Sequence, residues 1–154
     1  MVLPTVFADG LQGNANDFAN APGLRTGAIS GQIAVATLVD DTAQNTIVGL
    51  VPFNAGAVFH YGSAVSTTDV TAGSTTTLDV GVAYADTVEG ADALDLFVDG
   101  STVPQTGGVA SFNDLDGMSY VTTGKGYLVG VITAAATDIA GTMKANVLVS
   151  YNGE

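Results

Sequence analysis

Histidine is the one side chain that titrates near neutral pH unaided, and this sequence holds a single one, His60, within "GAVFHYG" at 56–62. Nucleophilic catalysis would need a serine on a sharp turn and a carboxylate beside that imidazole. The G-x-S-x-G elbow is absent, and nothing around His60 offers its strand-turn-helix setting. As a strand, the stretch places Ala57, Phe59 and Tyr61 on one face and Val58 and His60 on the other. The expectation is a histidine on a half-exposed strand face, or one satisfied by a backbone partner. A subunit contact comes next, and a metal ligand without a second histidine last.

Paired carboxylates can hydrolyse glycosides, and Asp40/Asp41, Asp92/Asp95 and Asp114/Asp116 are candidates. Each pair lies in or beside an expected turn, and no tryptophan is present to grip a sugar, so turn carboxylates are the better reading. "NDLDG" sets Asn113, Asp114 and Asp116 before Gly117. It fails the EF-hand frame, and only a loop calcium site completed by distant partners stays open. "GKG" at 124–126 lacks the phosphate-loop spacing and the Ser/Thr after the lysine. The lack of cysteine removes thiol nucleophiles, thiolate zinc sites and disulfides together. An absence of this breadth favours a structural or binding protein over an enzyme, with no cofactor expected.

The elements that would position any site follow from composition. The 154 residues suit one domain. Fifteen acids face three bases, Arg25, Lys125 and Lys144, for a net charge of -12. Such a surface repels phosphate backbones, so nucleic-acid binding is not expected. Thirteen of the acids are aspartate, which favours turns and caps where glutamate would favour helix. With abundant glycine, threonine and valine, this is an all-β composition. No apolar run approaches the ~18 residues of a membrane helix, and "MVLPTVFADG" lacks the basic and apolar regions of a secretion signal.

Residues 1–31 show neither a period of 2 nor of 3.6 and read as an extended N-terminal arm. Its spaced apolar residues, Val2, Leu3, Val6, Phe7, Phe18 and Leu24, would order against a neighbouring subunit or partner. Arg25 would seek an acidic pocket there. Residues 32–154 alternate as strands: "QIAVATLVD" with Ile33, Val35, Thr37 and Val39 on one face, ended by an Asp40-Asp41 turn; "TIVGLVPF"; "GAVFHYG"; and "TTTLDVGVAY". "GADALDLFVDG" could be a short helix with Leu94, Phe97 and Val98 inward. "STVPQTGGVASF" and "GMSYVTTG" read as short strands about the acidic turn "NDLDG". "GYLVGVITAAA" and "TMKANVLVSY" close the pattern, the latter with Met143, Ala145, Val147, Val149 and Tyr151 on one side. The sum is a single β-sandwich or jelly-roll-like domain of about eight strands.

Four stretches in this order, "VPFNAGAV" (51–58), "LDVGVAY" (78–84), "DALDLFVDG" (92–100) and "AGTMKANVLVSY" (140–151), resemble small virion structural proteins of tailed bacteriophages, particularly marine ones. The similarity covers about residues 46–154 and rests on structural rather than catalytic motifs. It implies a capsid decoration (cement) protein on the outer capsid surface, bound to the major capsid protein and to itself, a trimer favoured. No membrane partner is implied. The alternative is a carbohydrate- or host-surface-binding sandwich of a head fibre or tail.

Overall fold

The computed structural model describes residues 6–8, 30–43, 45–70, 75–133 and 138–151. Among these residues ten strands form two sheets. In chain order they are β1 (Val6–Phe7), β2 (Ser30–Ala43), β3 (Ile47–Phe53), β4 (Ala57–Phe59), β5 (Ala64–Thr67), β6 (Thr77–Tyr84), β7 (Ala93–Ser101), β8 (Gly108–Ser111), β9 (Gly126–Thr133) and β10 (Asp138–Tyr151). Sheet A has the order β1-β3-β9-β6-β7. Sheet B has the order β2-β10-β5-β8, with β4 on β10 beyond β5. A single helical turn, α1 (Leu115–Met118), follows β8. The domain is all-β, as its composition requires.

The two sheets face each other across one apolar core. β6 sends Leu78, Val80, Val82 and Tyr84 inward, and β10 sends Met143, Ala145, Val147, Val149 and Tyr151, all buried. Each such large side chain taken from water contributes about 1.5–3 kcal/mol. An aromatic chain crosses the core. Tyr84 meets Phe53 with ring centres 5.7 Å apart, Phe53 meets Phe59 at 6.0 Å, Phe59 meets Phe97 at 5.3 Å, and Phe97 stacks on Phe112 at 4.7 Å. Because Phe59 follows in β4 of sheet B while Phe53 ends β3 of sheet A, the intervening corner carries the chain between layers. Gly56 turns that corner with φ at 81°, a conformation that disfavours any Cβ.

Sheet A has a second buried face. Ile47, Ala83, Tyr127, Val129 and Val131 cluster on its outer side, and Phe7 and Leu94 pack against them. β1 reaches this position by pairing parallel to β3, Val6 beside Val48 and Phe7 beside Gly49. Phe7 then sets its ring edge against Tyr127 at 5.2 Å. On the same side Gly81 lies under β7 so closely that a Cβ would collide with the Ala93 carbonyl and the Leu94 backbone.

Three local expectations are corrected. Residues 93–101 form strand β7, not a helix. Register shifts against β6 interrupt the period of 2, and the adjacent buried pair Phe97-Val98 mimics a helical face. The chain does not turn at Asp40-Asp41: β2 runs to Ala43, with the turn at Asn45 (φ 60°). Ile139 pairs with Thr42 and Gly141 with Leu38, so the two aspartates fall inside a bulge. Finally, "GMSYVTTG" is no strand. Asp114 accepts the Asp116 N–H at 2.9 Å and starts α1 there instead.

Candidate interaction surface

His60 lies just past β4 and is half-buried. Its backbone N–H donates to the Leu148 carbonyl at 2.8 Å, and its Nε2 lies 2.7 Å from the Ser150 hydroxyl. Sequence reading missed this serine because it is 90 residues away and sits in β10. The pair is a serine and an imidazole in contact, but the ring makes no other hydrogen bond among the described residues. Ser150 is itself buried within the ladder, opposite Val58. A nucleophile needs an accessible hydroxyl on a turn and a base oriented by a third group. This pair has neither and works as a clasp between β4 and β10. Tyr61, expected on the same strand face as Phe59, stands instead in the turn, 80% exposed.

Several of the described carboxylates accept backbone N–H groups. Asp79 accepts Gly100 N–H at 2.7 Å, Asp86 accepts Val88 N–H at 2.8 Å, and Asp92 accepts Tyr84 N–H at 2.9 Å. Glu89 accepts Lys125 N–H at 3.0 Å and lies 3.8 Å from its ammonium. Of the expected calcium ligands, Asp114 is a helix cap and Asn113 and Asp116 are exposed. Among the described residues no three metal-ligating side chains converge. Of the predicted arm contacts, Val6 and Phe7 are half-buried in β1. Val2, Leu3, Phe18, Leu24 and Arg25 lie outside the described residues.

The loop end of the sandwich is held by two phenols. Tyr84 and Tyr120 hydroxyls are 2.9 Å apart, and Thr123 N–H donates to Tyr84 at 3.2 Å. Burial, then the hydrogen bond to Tyr84, raises the Tyr120 pKa well above the usual phenol range. Burial likewise raises that of Tyr151. The loop after β6 carries Asp86, exposed Val88 and Glu89, the last paired with Lys125, and α1 carries Asp114, exposed Leu115 and Asp116.

The outer face of sheet B is of the opposite character. Register aligns Val35, Lys144, Ser66 and Val109 in one row, and Ile33, Asn146, Ala64 and Ser111 in the next. Val58 and His60 extend it past Leu148. These rows hold no carboxylate, in a chain with fifteen. Ile33 and Val109 are 68% and 64% exposed there. The branched face of "QIAVATLVD" is thus the outer one, and Ala36 and Leu38 fill the core. Strand alternation shows that two faces exist; only the partner strand β10 shows which is inside.

No protein-family model matches this sequence, and no curated protein does. Solved structures do. A chain in the capsid of Ralstonia phage GP4 superposes with a TM-score of 0.65 at 24% identity, over 90% of this chain and 96% of that one. A chain in the capsid asymmetric unit of cyanophage Pam1 gives a TM-score of 0.56 at 16% identity, over 86% and 95%. This fold occurs in phage capsids. The likeness runs nearly end to end in both, so it covers the paired sheets as a unit rather than one hairpin.

Proposed function

We propose that this chain is a phage virion structural protein without catalytic activity, a decoration protein that binds the outer capsid surface and stabilises the shell. The observation that carries the reading is the near end-to-end likeness to a capsid chain of almost the same length. Charge supports the outer side. A protein of net charge -12 is repelled by packaged DNA, whereas outward-facing acidity keeps particles soluble and apart. The partners are the major capsid protein and further copies of this chain. Val2, Leu3, Val6, Phe7, Phe18, Leu24 and Arg25 are the proposed arm contacts of residues 1–31, ahead of a sandwich of 32–154, with Val6 and Phe7 also tying the arm to sheet A through β1. A specific interface buries about 1,600 Å² in total, more than a few exposed side chains supply, and an arm adds area without enlarging the domain.

The rival reading, a sugar-binding module, has less support. A cleft of about 420 Å³ opens between β7 and β8, lined by Asp99, Ser101, Thr102 and Asn113 but by no aromatic ring.

Deleting the gene from the phage that encodes it tests the proposal. Shells should still assemble and accept purified protein afterwards, and should burst at lower heat or osmotic stress without it. If no shells form in its absence, the chain is part of the shell itself and the decoration reading fails. Leu3→Asp with Phe18→Asp should abolish re-binding, with circular dichroism checking that the variant is folded. Removing residues 1–30 is a poorer test, because it strips β1 and the buried Ala8.

A further inference from the structure

β7 and β8 are edge strands of the two sheets, and they border one cleft. At one end they meet, where the Asn113 N–H donates to the Phe97 carbonyl at 3.2 Å. At the other they are joined through residues 102–107. Between these ends they part, over about 13 Å or four extended residues, around the volume of about 420 Å³. The β8 wall offers unpaired backbone. The Phe112 N–H donates to the Ser63 carbonyl at the end of the β5–β8 ladder. Antiparallel pairing alternates, so the Ala110 backbone also faces β5, whereas Val109 and Ser111 turn N–H and C=O toward the open edge. The β7 wall supplies Asp99, whose exposed carboxylate makes no hydrogen bond or ion pair among the described residues. No basic side chain lines the cleft. We infer that residues 24–27 of a second copy of this chain lie extended along β8 in this cleft, with Arg25 against Asp99.

Free edge groups between small polar walls suit main-chain recognition, in which an extended segment adds itself as a strand. Asp99 asks of that segment a cation and no acid. Lys125 is paired with Glu89, and Lys144 sits within β10. That leaves Arg25, in an acid-free run of residues 18–39. Extended, this run alternates, with Leu24 and Thr26 on one side and Arg25 and Gly27 on the other. Leu24 and Thr26 then continue the outer face of sheet B beside Val109, which is 64% exposed, and Arg25 points across the cleft toward β7. A guanidinium and a carboxylate meeting there can pair through two hydrogen bonds. The same copy's segment does not fit. β2 and β8 are opposite edges of sheet B, three strand spacings or about 14 Å apart. The chain from Ser30 back to Arg25 spans at most about 18 Å, enough to cross the strands but not to turn and run along β8. The contact joins two different surfaces, so it closes into a ring or extends as a filament. The inference rests on reading residues 1–31 as a docking arm, and it gives one part of that arm its partner.

Sedimentation velocity of the purified full chain tests it, over about 1 to 300 µM, the range of ordinary specific association. The wild type should form a species above the monomer. Arg25→Asp and Asp99→Arg should each weaken it at least about tenfold, or ~1.4 kcal/mol, and the two exchanged together should recover most of the loss. Ser111→Pro should weaken it as well, because it removes an edge N–H while the donors that face β5 remain. Circular dichroism checks that each variant is folded. If the proline disturbs the fold, the exchange of charges decides. A wild type that stays monomeric throughout overturns the inference, as does an oligomer indifferent to Asp99→Arg. Loss in both single variants without recovery in the double variant overturns it too, since Arg25 and Asp99 would then not meet. Failure here is distinct from failure of the decoration reading, which turns on whether shells form without the protein and bind it afterwards.

Discussion

Phe97→Ala is the sharpest test of how the two sheets are held together. Phe97 is fully buried in β7 of sheet A, stacked on Phe112 at 4.7 Å with ring planes 9° apart and edge-on to Phe59 at 5.3 Å. Both partners belong to the sheet B side, so the ring is a rivet between layers. Truncating a buried phenylalanine costs about 3–5 kcal/mol in lost transfer energy and cavity. Loss of two aromatic contacts, each about 0.5–1.5 kcal/mol, places this one in the upper half of that range. Against a total stability of about 5–15 kcal/mol, about a quarter or more would go. With a urea slope of about 2 kcal/mol per M, the midpoint falls by ~2 M. Equilibrium urea unfolding followed by circular dichroism measures it, with the slope expected to stay constant. Phe97→Leu and Phe112→Leu in a double-mutant cycle should couple by about 1 kcal/mol. A Phe97→Ala loss below about 1 kcal/mol, or strict additivity with Phe112, would refute the rivet.

Other expectations concern smaller features. Gly81→Ala should destabilise by about 2 kcal/mol or more, because its Cβ would meet rigid backbone of β7 rather than a movable side chain; thermal unfolding reads this out. His60→Ala should cost only about 0.5–1.5 kcal/mol, the net value of its hydrogen bond to Ser150, and should leave capsid re-binding intact. Tyr120 holds its proton more tightly folded than unfolded, where the phenol value is 10.0. Its contribution is therefore complete below that pH and is lost as pH rises toward the raised folded value. Alkaline unfolding of the wild type should be steeper above that pH than that of Tyr120→Phe, and absorbance titration should show Tyr120 and Tyr151 ionising late, with one of these two transitions lost in Tyr120→Phe.

The strands with clean alternation were legible from sequence because their pairing is regular. β6 and β10 show which residues share a face, and both put those residues in the core. β7 was ambiguous because bulges break its period, and the true end of β2 was hidden because the Asp40-Asp41 turn signal is absorbed in a bulge opposite β10. The first depends on bulges against the preceding strand β6, the second on β10 at the other end of the chain. The candidate surface was less legible still. Lys144 and Ile33 become neighbours in adjacent rows only through the β2–β10 register, a property of the assembled strands. His60 drew notice by its type, yet its actual contact, Ser150, carries no local signal.

The pairing of β2 with β10 also sets an order of events during synthesis. Residues 30–43 emerge early, and the strand they join spans residues 138–151. At ordinary elongation rates of roughly 5–20 residues per second, the wait is on the order of ten seconds. Throughout it the apolar run "QIAVATLV" is an unpaired edge, open to the same run on neighbouring nascent chains. The aspartates at 40 and 41, which interrupt the finished ladder as a bulge, then act as gatekeepers that make such pairing repulsive. A flaw in the completed sheet is thus a safeguard for the incomplete one.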